Sequence, residues 1–552
     1  MQRKNKKLVF VFLLICLILG KIHSLTGAQY LIITPDNYVP AVEPLAFWKN
    51  KKGIITKIIP LSQIGSSSSQ IKNFIVTSYN TWDIRPAYVL LVGTTSLIPA
   101  SGSSDDYYAD VAGNYRIELS IGRIPCASIA QCQNIVNKIL NYERNPQVSD
   151  STWILKGSII IREDGSSPPD NVYWENAYYI ADFWRSYGYT QIDTFSRLAG
   201  HSSANVTNAI NDGRMFVVYR GQAVSNWWSP FAITPENLTN GYKTPIVVSG
   251  TCQTLSLSDN TYLGNQFMNA GSITNSKGAV AFLGTTRTAG GSNLALNRGT
   301  VTKGIFQAIF NERIWYLGDA LKCGKYLIDS LAPPNYTQER YTEWELFGDP
   351  TLEIWTDIPR RLFVAHDTII PLGSQIFNVT VSENQFPLMG AKVCIMMDST
   401  IYDTQFTDHM GNVSFNITPN YPGIMYVTVT AHNYIPYEGQ VVVQMTSIEE
   451  IKIPDKFSKT GITFNVTPDL IYQLKPQINF KLSSPEEVAL AIYNLEGKLI
   501  KSVFSGKILP DEVYNFNWDL LDDKNHPIPP GVYFSTLKTA NHVLGRKLII
   551  IR

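Results

Sequence analysis

Charge is scarce in this 552-residue chain: Asp, Glu, Lys and Arg make up only 16% of it, against roughly 25% in an average soluble protein. The 46 cations and 45 acids nearly cancel. A nucleic-acid binder needs a basic stripe to neutralise phosphates, and none is present. Histidine is rare, with seven copies, and cysteine numbers six. No CxxC pair occurs and no spacing matches a zinc site. HExxH, the GxSxG nucleophile elbow and the P-loop are all missing, which sets aside the chemistries those motifs carry. Beyond the N-terminus, no apolar run is long enough to span a bilayer.

What is present is apolar and aromatic. Hydrophobic residues reach 44% and aromatics 12%, with 29 Tyr. That content fills several cores and excludes a disordered chain, a coiled coil and a collagen-like fibre. At roughly 150 residues per domain, three or four domains are expected.

The first residues read as an export signal. Arg3, Lys4, Lys6 and Lys7 precede the apolar run Leu8–Leu19, and Thr26 and Ala28 stand at −3 and −1 positions for cleavage. Residues 1–28 are therefore expected to be a secretory signal peptide, too short in its apolar part to span. They hold five of the cations and none of the acids, so the remainder carries a net charge of −4. Ile15 before Cys16 is too large for a lipoprotein site. Cys126, Cys132, Cys252, Cys323 and Cys394 then remain. An oxidising compartment permits Cys126–Cys132 or another pair, and an odd count leaves a thiol whose reactivity matters.

Residues 29–357 read as α/β. Tyr30–Thr34, Tyr88–Val92, Ser158–Ile161, Phe216–Tyr219, Pro245–Ser249 and Ala279–Leu283 are short apolar runs bounded by turn residues, the texture of buried parallel strands. Helical spacing marks Ile129–Tyr142, and more weakly Gly264–Asn269 and Val301–Asn311. The alternation predicts one mostly parallel sheet, with a break near Pro146–Ser151 that divides the region into subdomains 29–148 and 149–357. From Ile358 the texture becomes all-β: Gln375–Val381, Val413–Ile417 and Met425–Ala431 alternate and are separated by turns. This predicts a sandwich over 358–447. A polar linker over Ile448–Lys459 leads to a second all-β unit, 462–552, with its clearest strands at Val488–Tyr493, Val513–Trp518 and Gly531–Leu537.

In open parallel sheets, functional groups gather past the carboxyl ends of strands. Phe216–Tyr219 runs into Arg220-Gly221-Gln222-Ala223, and Pro245–Ser249 into Gly250-Thr251-Cys252-Gln253-Thr254. A cysteine there borders a crevice and is either a nucleophile or a buried structural thiol.

Tyr219-Arg220-Gly221-Gln222, Trp227-Trp228 and Val247–Cys252 resemble the core of the gingipain-type (C25) cysteine peptidases. Tyr88–Gly93 with Ile98-Pro99, Asp105–Asp110, Ile121–Pro125, Gly278–Gly284 and Leu346–Pro350 extend the likeness over residues 29–357. The resemblance implies a caspase-like α/β fold and a secreted or cell-surface endopeptidase acting on protein or peptide substrates. In that family a His at one strand end activates a Cys at the next, and backbone N–H groups hold the oxyanion. The Cys maps to Cys252. The Gly-His-Gly maps to Gly221-Gln222-Ala223, so Gln222 stands where the general base is expected. An amide neither accepts nor delivers a proton near neutral pH.

Three readings follow: a feeble Cys252 nucleophile, a substitute base with His201 nearest in sequence, or a scaffold that binds peptide without cutting it. The family's supporting carboxylate has Glu118 and Asp105 as candidates. Gly221, Ala223, Trp227 and Trp228 are candidate substrate-binding residues, the tryptophans either lining a groove or packing in the core. No acid matches the base of a basic-residue pocket, so a preference for Arg or Lys does not carry over. No cofactor or metal is assigned, although calcium occurs in relatives and Asp105, Asp106 and Asp110 are possible ligands.

Residues 358–447 resemble the Ig-like domain that follows this unit in the family. Residues 462–552 resemble FlgD-like and type IX secretion sorting domains through Val488–Tyr493, Gly497, Trp518-Asp519, Pro530–Phe534 and Arg546–Ile550. That likeness implies an outer-membrane secretion machine as partner; a passive spacer is the alternative. A catalytically inactive peptide-binding or adhesin protein and a carbohydrate-binding surface protein are the competing functions.

Overall fold

The computed structural model describes residues 27–146, 150–288, 294–331, 334–397, 400–444, 462–467, 470–472, 475–494 and 497–551. Residues 1–26 of the expected signal segment, and the expected linker, lie outside them. Gly27 and Ala28 are built into the fold. Gly27 bridges Ile84, and Ala28 is buried and donates its N–H to the Ile84 carbonyl at 3.1 Å. A cut after Ala28 would remove both contacts.

The α/β region is organised around a ten-stranded sheet. Its strands are β1 (Tyr30–Thr34), β2 (Thr56–Pro60), β3 (Tyr88–Val92), β4 (Ser120–Ile124), β5 (Lys156–Ile161), β6 (Gln191–Ser196), β7 (Phe216–Arg220), β8 (Ile246–Gly250), β9 (Ala281–Thr285) and β10 (Trp344–Phe347). The order across the sheet is β2-β1-β3-β4-β10-β9-β8-β7-β5-β6. All pairs are parallel except β9–β10, so the sheet consists of two parallel halves of opposite direction meeting at that seam. The apolar runs have this outcome because β1, β4, β7, β8 and β9 are buried at every position. Such strands have no solvent face to alternate toward.

Helices cover both faces: α1 (Val39–Lys51), α2 (Ser68–Thr81), α3 (Ile129–Arg144), α4 (Pro169–Ser186), α5 (Ser203–Asp212), α6 (Leu263–Asn269), α7 (Leu294–Phe310) and α8 (Leu317–Leu331). Ser67 starts α2 with a reciprocal capping box to Gln70, and Ser128 starts α3 by accepting from the Gln131 N–H. In α3, Cys132, Ile135, Val136 and Ile139 all point into the core, at the spacing expected of one apolar face. Sequence periodicity missed α4, which buries Tyr173, Ala177, Ile180, Ala181 and Trp184 behind aromatic residues that also fit a strand.

The all-β region after Ile358 forms antiparallel sheets. Strands β11 (Gln375–Glu383), β12 (Lys392–Met397), β13 (Asn412–Ile417), β14 (Gly423–Thr430) and β15 (Tyr437–Gln444) enclose a core of Phe377, Val379, Val381, Ile395, Phe415 and Val427. This sandwich is not a free-standing body: residues up to Gln444 form one compact unit with the α/β region. Glu438 of β15 meets Lys51 and, at 2.7 Å, Arg144. His432 reaches Glu353 at 3.6 Å, and its ring stacks on Trp315 at 3.5 Å.

The second compact unit holds β16 (Ile462–Thr467), β17 (Gln477–Leu482), β18 (Glu487–Asn494), β19 (Leu499–Lys507), β20 (Tyr514–Asn517), β21 (Gly531–Lys538) and β22 (Val543–Ile551). Trp518 and Tyr533 meet edge to face in its core, 5.8 Å apart. The Gly-Val-Tyr and Trp-Asp marks therefore have a packing role here.

Candidate active site

Neighbouring strands β7 and β8 run parallel with Gly250 opposite Arg220. Continuing that register places Gln222 and Cys252 each two residues past the paired ends, on adjoining turns. The turns are tied together. Thr251 Oγ1 donates to the Gly221 carbonyl at 2.6 Å, Thr285 Oγ1 to the Thr251 carbonyl at 2.6 Å, and the Gln253 N–H to the Arg287 carbonyl at 3.1 Å. Gly221 has φ +147, and a Cβ there would lie 2.7 Å from the Arg162 Cβ. Only glycine lets the chain turn so close to its neighbour.

Cys252 is half-buried, and its Sγ accepts a hydrogen bond from Arg298 Nη1 at 2.8 Å. Arg298 comes from α7 and is itself held by Glu343: Nε to Oε1 at 2.9 Å and Nη2 to Oε2 at 2.8 Å. Nη2 also donates to the Arg287 carbonyl at 3.2 Å. Burial opposes the charge of Arg298, but Glu343 and then Cys252 outweigh it and raise its pKa above the ordinary value. A second guanidinium, Arg220, is fully buried beside this group. It donates to the Gly250 and Ala295 carbonyls and lies 5.3 Å over the Tyr173 ring. Burial brings its pKa down to about 10, with the nearby charge of Arg298 adding to the effect against the pull of Tyr173.

The remaining expected residues sort clearly. Gln222 is half-buried, and its backbone carbonyl accepts from the Tyr219 hydroxyl at 2.6 Å and the Trp228 N–H at 3.3 Å. Glu118 is bound to the Val111 and Ala112 N–H groups, and Asp105 to Arg123. Among the described residues no hydrogen bond or ion pair joins either carboxylate to Cys252 or Gln222. His201 packs on Phe195 and Ser196 at the end of the outermost strand β6, two strands beyond β7.

Trp227 corrects the groove reading. It is 1% exposed, stacks on Tyr219 at 4.8 Å and donates to Ser249 Oγ at 3.0 Å, so it supports the two strands from inside the core. Ala223 is buried as well. Trp228 is 44% exposed, with Arg162 5.2 Å over its ring. Asp105, Asp106 and Asp110 do not converge on a cation site. Asp105 pairs with Arg123, Asp106 with Lys325, and Asp110 accepts the Gly113, Asn114 and Tyr115 N–H groups. All five described cysteines are free.

A cavity of about 330 Å³ opens next to Gln253, lined also by Thr95, Ser103, Ser256, Leu257 and Thr286 and, among the described residues, by no charged side chain. Sequence reasoning missed Arg298 and Glu343. The one available signal was a cation on an apolar helix stripe, since Arg298 precedes the buried Val301 and Ile305 by three and seven positions.

A mostly parallel sheet flanked by helices, with a half-buried cysteine past a strand end, is the arrangement expected of a caspase-like cysteine peptidase, and the family match agrees with it. The model of peptidase family C25 matches residues 23–355. The chain belongs to peptidase family C25. It is 24% identical over 442 residues to gingipain R2 of Porphyromonas gingivalis, covering 77% of this chain and 59% of the relative. It is 23% identical over 459 residues to a Lys-gingipain of the same organism, covering 76% of this chain and 26% of that one. The chain thus spans about six tenths of gingipain R2 and a quarter of that Lys-gingipain. In fold it is similar to the crystal structure of the Arg-specific cysteine proteinase gingipain R. The TM-score is 0.67 at 22% identity, over 76% of this chain and 98% of that one. The complex of gingipain pro- and mature domains gives a TM-score of 0.65.

Proposed function

We propose that this protein is a secreted or cell-surface cysteine endopeptidase that hydrolyses peptide bonds through Cys252, with Gln222 standing at the family's histidine position. The observation that carries the reading is the half-buried Cys252 sulfur at a strand end, level in register with Gln222 and touched by a guanidinium. The uncharged cavity beside Gln253 favours substrates whose adjacent side chain is neutral. Residues 1–28 act as the export signal, and residues 462–552 serve as a type IX sorting domain read by outer-membrane machinery. Among the described residues no helix is long and apolar enough to cross a membrane.

The test is labelling of the whole protein with a peptidyl acyloxymethyl ketone, followed by mapping of the modified thiol. Selective modification of Cys252, abolished in Cys252→Ala, supports the nucleophile. Labelling spread equally over Cys252 and Cys323 removes it. A second reading, a peptide-binding protein that does not cut, is favoured by one observation: among the described residues no imidazole contacts Cys252. Retention of a peptide by a Cys252 that never reacts would establish that reading instead. Surface display of a chain lacking residues 462–552 would remove the sorting assignment.

A further inference from the structure

We propose that the Arg298–Glu343 pair is the charged partner of the Cys252 sulfur, supporting nucleophilic attack without supplying the proton that a departing amine needs. The inference rests on the reading of Cys252 as the nucleophile and says which half of the reaction this site performs well.

The geometry is specific. The Arg298 side chain is 3% exposed and that of Glu343 fully buried. Two parallel hydrogen bonds from Arg298 to Glu343 and a third to the Arg287 carbonyl fix the planar guanidinium. Its remaining nitrogen, Nη1, then points at Sγ at 2.8 Å. Glu343 does not touch the sulfur; it positions the fork. Charged and titratable groups near the sulfur include Arg298 on α7, Glu343 ahead of β10 with Arg340 3.5 Å from it, Arg220 at the end of β7, and Tyr173 on α4. Burial pushes the Tyr173 phenol up, against the pull of Arg220, so it is neutral in the working range. The Arg220 guanidinium donates to the Gly250 and Ala295 carbonyls and, among the described residues, pairs with no carboxylate. Arg298 Nη1, held in place by Glu343, is thus set to stabilise negative charge that develops on the sulfur.

A guanidinium cannot be deprotonated in a protein, so Arg298 is neither a general base nor a general acid. The thiol proton passes to water. The sulfur anion attacks an acyl carbon, the S–C bond forms, and the carbonyl electrons move to oxygen. When the carbonyl reforms, an ester expels its alcohol as an oxyanion, which takes a proton from water. A peptide must expel an amine, and that nitrogen has to be protonated as the C–N bond breaks. Neither Arg298 nor the Gln222 amide has a proton to give. Water then attacks the acyl thioester, releasing the carboxylic acid and returning the sulfur. The chemical class that acylates Cys252 readily is therefore an activated acyl donor, an aryl ester or thioester, while a peptide with the same acyl group reacts slowly.

The experiment uses the full chain. Iodoacetamide modification of Cys252 is followed by mass spectrometry at pH 6, and turnover of a matched peptidyl aryl ester and peptidyl amide is measured beside it. Arg298→Met/Glu343→Gln removes the cation at the sulfur and leaves no unpaired carboxylate, while Arg340, which reaches Glu343 at 3.5 Å in the wild type, keeps an amide oxygen as acceptor. Circular dichroism verifies its fold. Loss of a charge-assisted hydrogen bond to the reacting sulfur is expected to slow Cys252 modification at pH 6 by about tenfold. Arg298→Lys, which keeps the charge, restores most of it and covers the case in which the double variant does not fold. The ester-to-amide rate ratio of the wild type should fall in Gln222→His, because an imidazole that helps the thiol attack either substrate also protonates the departing amine, which only the amide needs. Unchanged Cys252 modification in the double variant, or none restored by Lys over Arg298→Gln, overturns the role of Arg298 while Cys252 stands as the nucleophile. A wild-type Cys252 that reacts with neither reagent nor ester overturns both.

Discussion

Two of the buried charge clusters in the α/β region differ in whether a donor is left over for a reactive atom. In the first, Asp105, Asp106 and Glu345 face Arg123 and Lys325. Arg123 gives two hydrogen bonds to Asp105, at 2.7 and 2.6 Å, and spends Nη1 on the Gly93 and Ile98 carbonyls. Lys325 reaches both Asp106 oxygens at 2.7 Å. Glu345 accepts from the Asp105 N–H at 2.9 Å; burial, and then the charges of Asp105 and Asp106, push its carboxyl well up. That cluster is closed. In the second, Arg298 satisfies Glu343 and still directs a nitrogen at Cys252. Both clusters bury cations; only the second presents one to a reactive atom. Burial and pairing mark structural and functional charges alike, and the unused donor separates them.

The largest expected effect breaks the closed cluster. Arg123→Met leaves Asp105 buried without its partner and is expected to destabilise the protein by ~3–5 kcal/mol, the range for removing one member of a buried pair. Chemical denaturation measures it, and a loss under 1 kcal/mol would show that Asp105 finds another partner or takes up a proton at little cost.

The next prediction alters the open cluster. Gln222→His puts an imidazole two residues past β7, level with Cys252. A positioned general base contributes about 10²–10⁴-fold. With no orienting carboxylate in place, the expected gain in peptide hydrolysis is about tenfold or more, below the lower end of that range. The gain should vanish in the Cys252→Ala background. Wild-type hydrolysis that Gln222→His abolishes would mean the amide already has a working role.

A third prediction concerns acid. Burial alone would raise the Glu353 carboxyl, but Lys52 and then His432 hold it well below the usual range. A depressed carboxyl contributes stability above its unfolded pKa and loses it as pH falls, here beginning below about pH 5. Melting of the wild type should fall more steeply from pH 5 to 3 than that of Glu353→Gln. Parallel curves would place the acid response in other carboxylates. The smallest effect is expected at Trp228. It is exposed, so Trp228→Ala should change stability by no more than about 0.5 kcal/mol. A clear rise in KM for peptides at unchanged stability would place it in the substrate path.

The sequence made the strands legible because each is a contiguous apolar run. Tyr30–Thr34 and Tyr88–Val92 match β1 and β3 residue for residue, and four further runs locate β5, β7, β8 and β9 within about two positions. It also placed Cys252 and Gln222 past adjoining strands. Strands β2, β4, β6 and β10 escaped notice. Strands β2 and β6 are the two edges and mix polar residues into Thr56–Pro60 and Gln191–Ser196, while central β4 and β10 are short and interrupted by the buried charges of Arg123 and Glu345. Glu118 and Asp105 were reasonable acids by position, but local backbone and Arg123 had already claimed them.

By itself, then, the sequence determined the α/β-then-β order, the parallel strands and the cysteine at a strand end, because these depend on residue type and spacing within a few positions of each other. Tertiary structure alone decided that the sheet reverses direction at β9–β10, that Trp227 lies inside while Trp228 lies outside, and that Arg298 meets Cys252. The Arg298 contacts join residues 46 positions apart at the sulfur and 45 apart at Glu343. Such contacts follow from where chain crossings bring helices to a sheet edge, and no local periodicity encodes them.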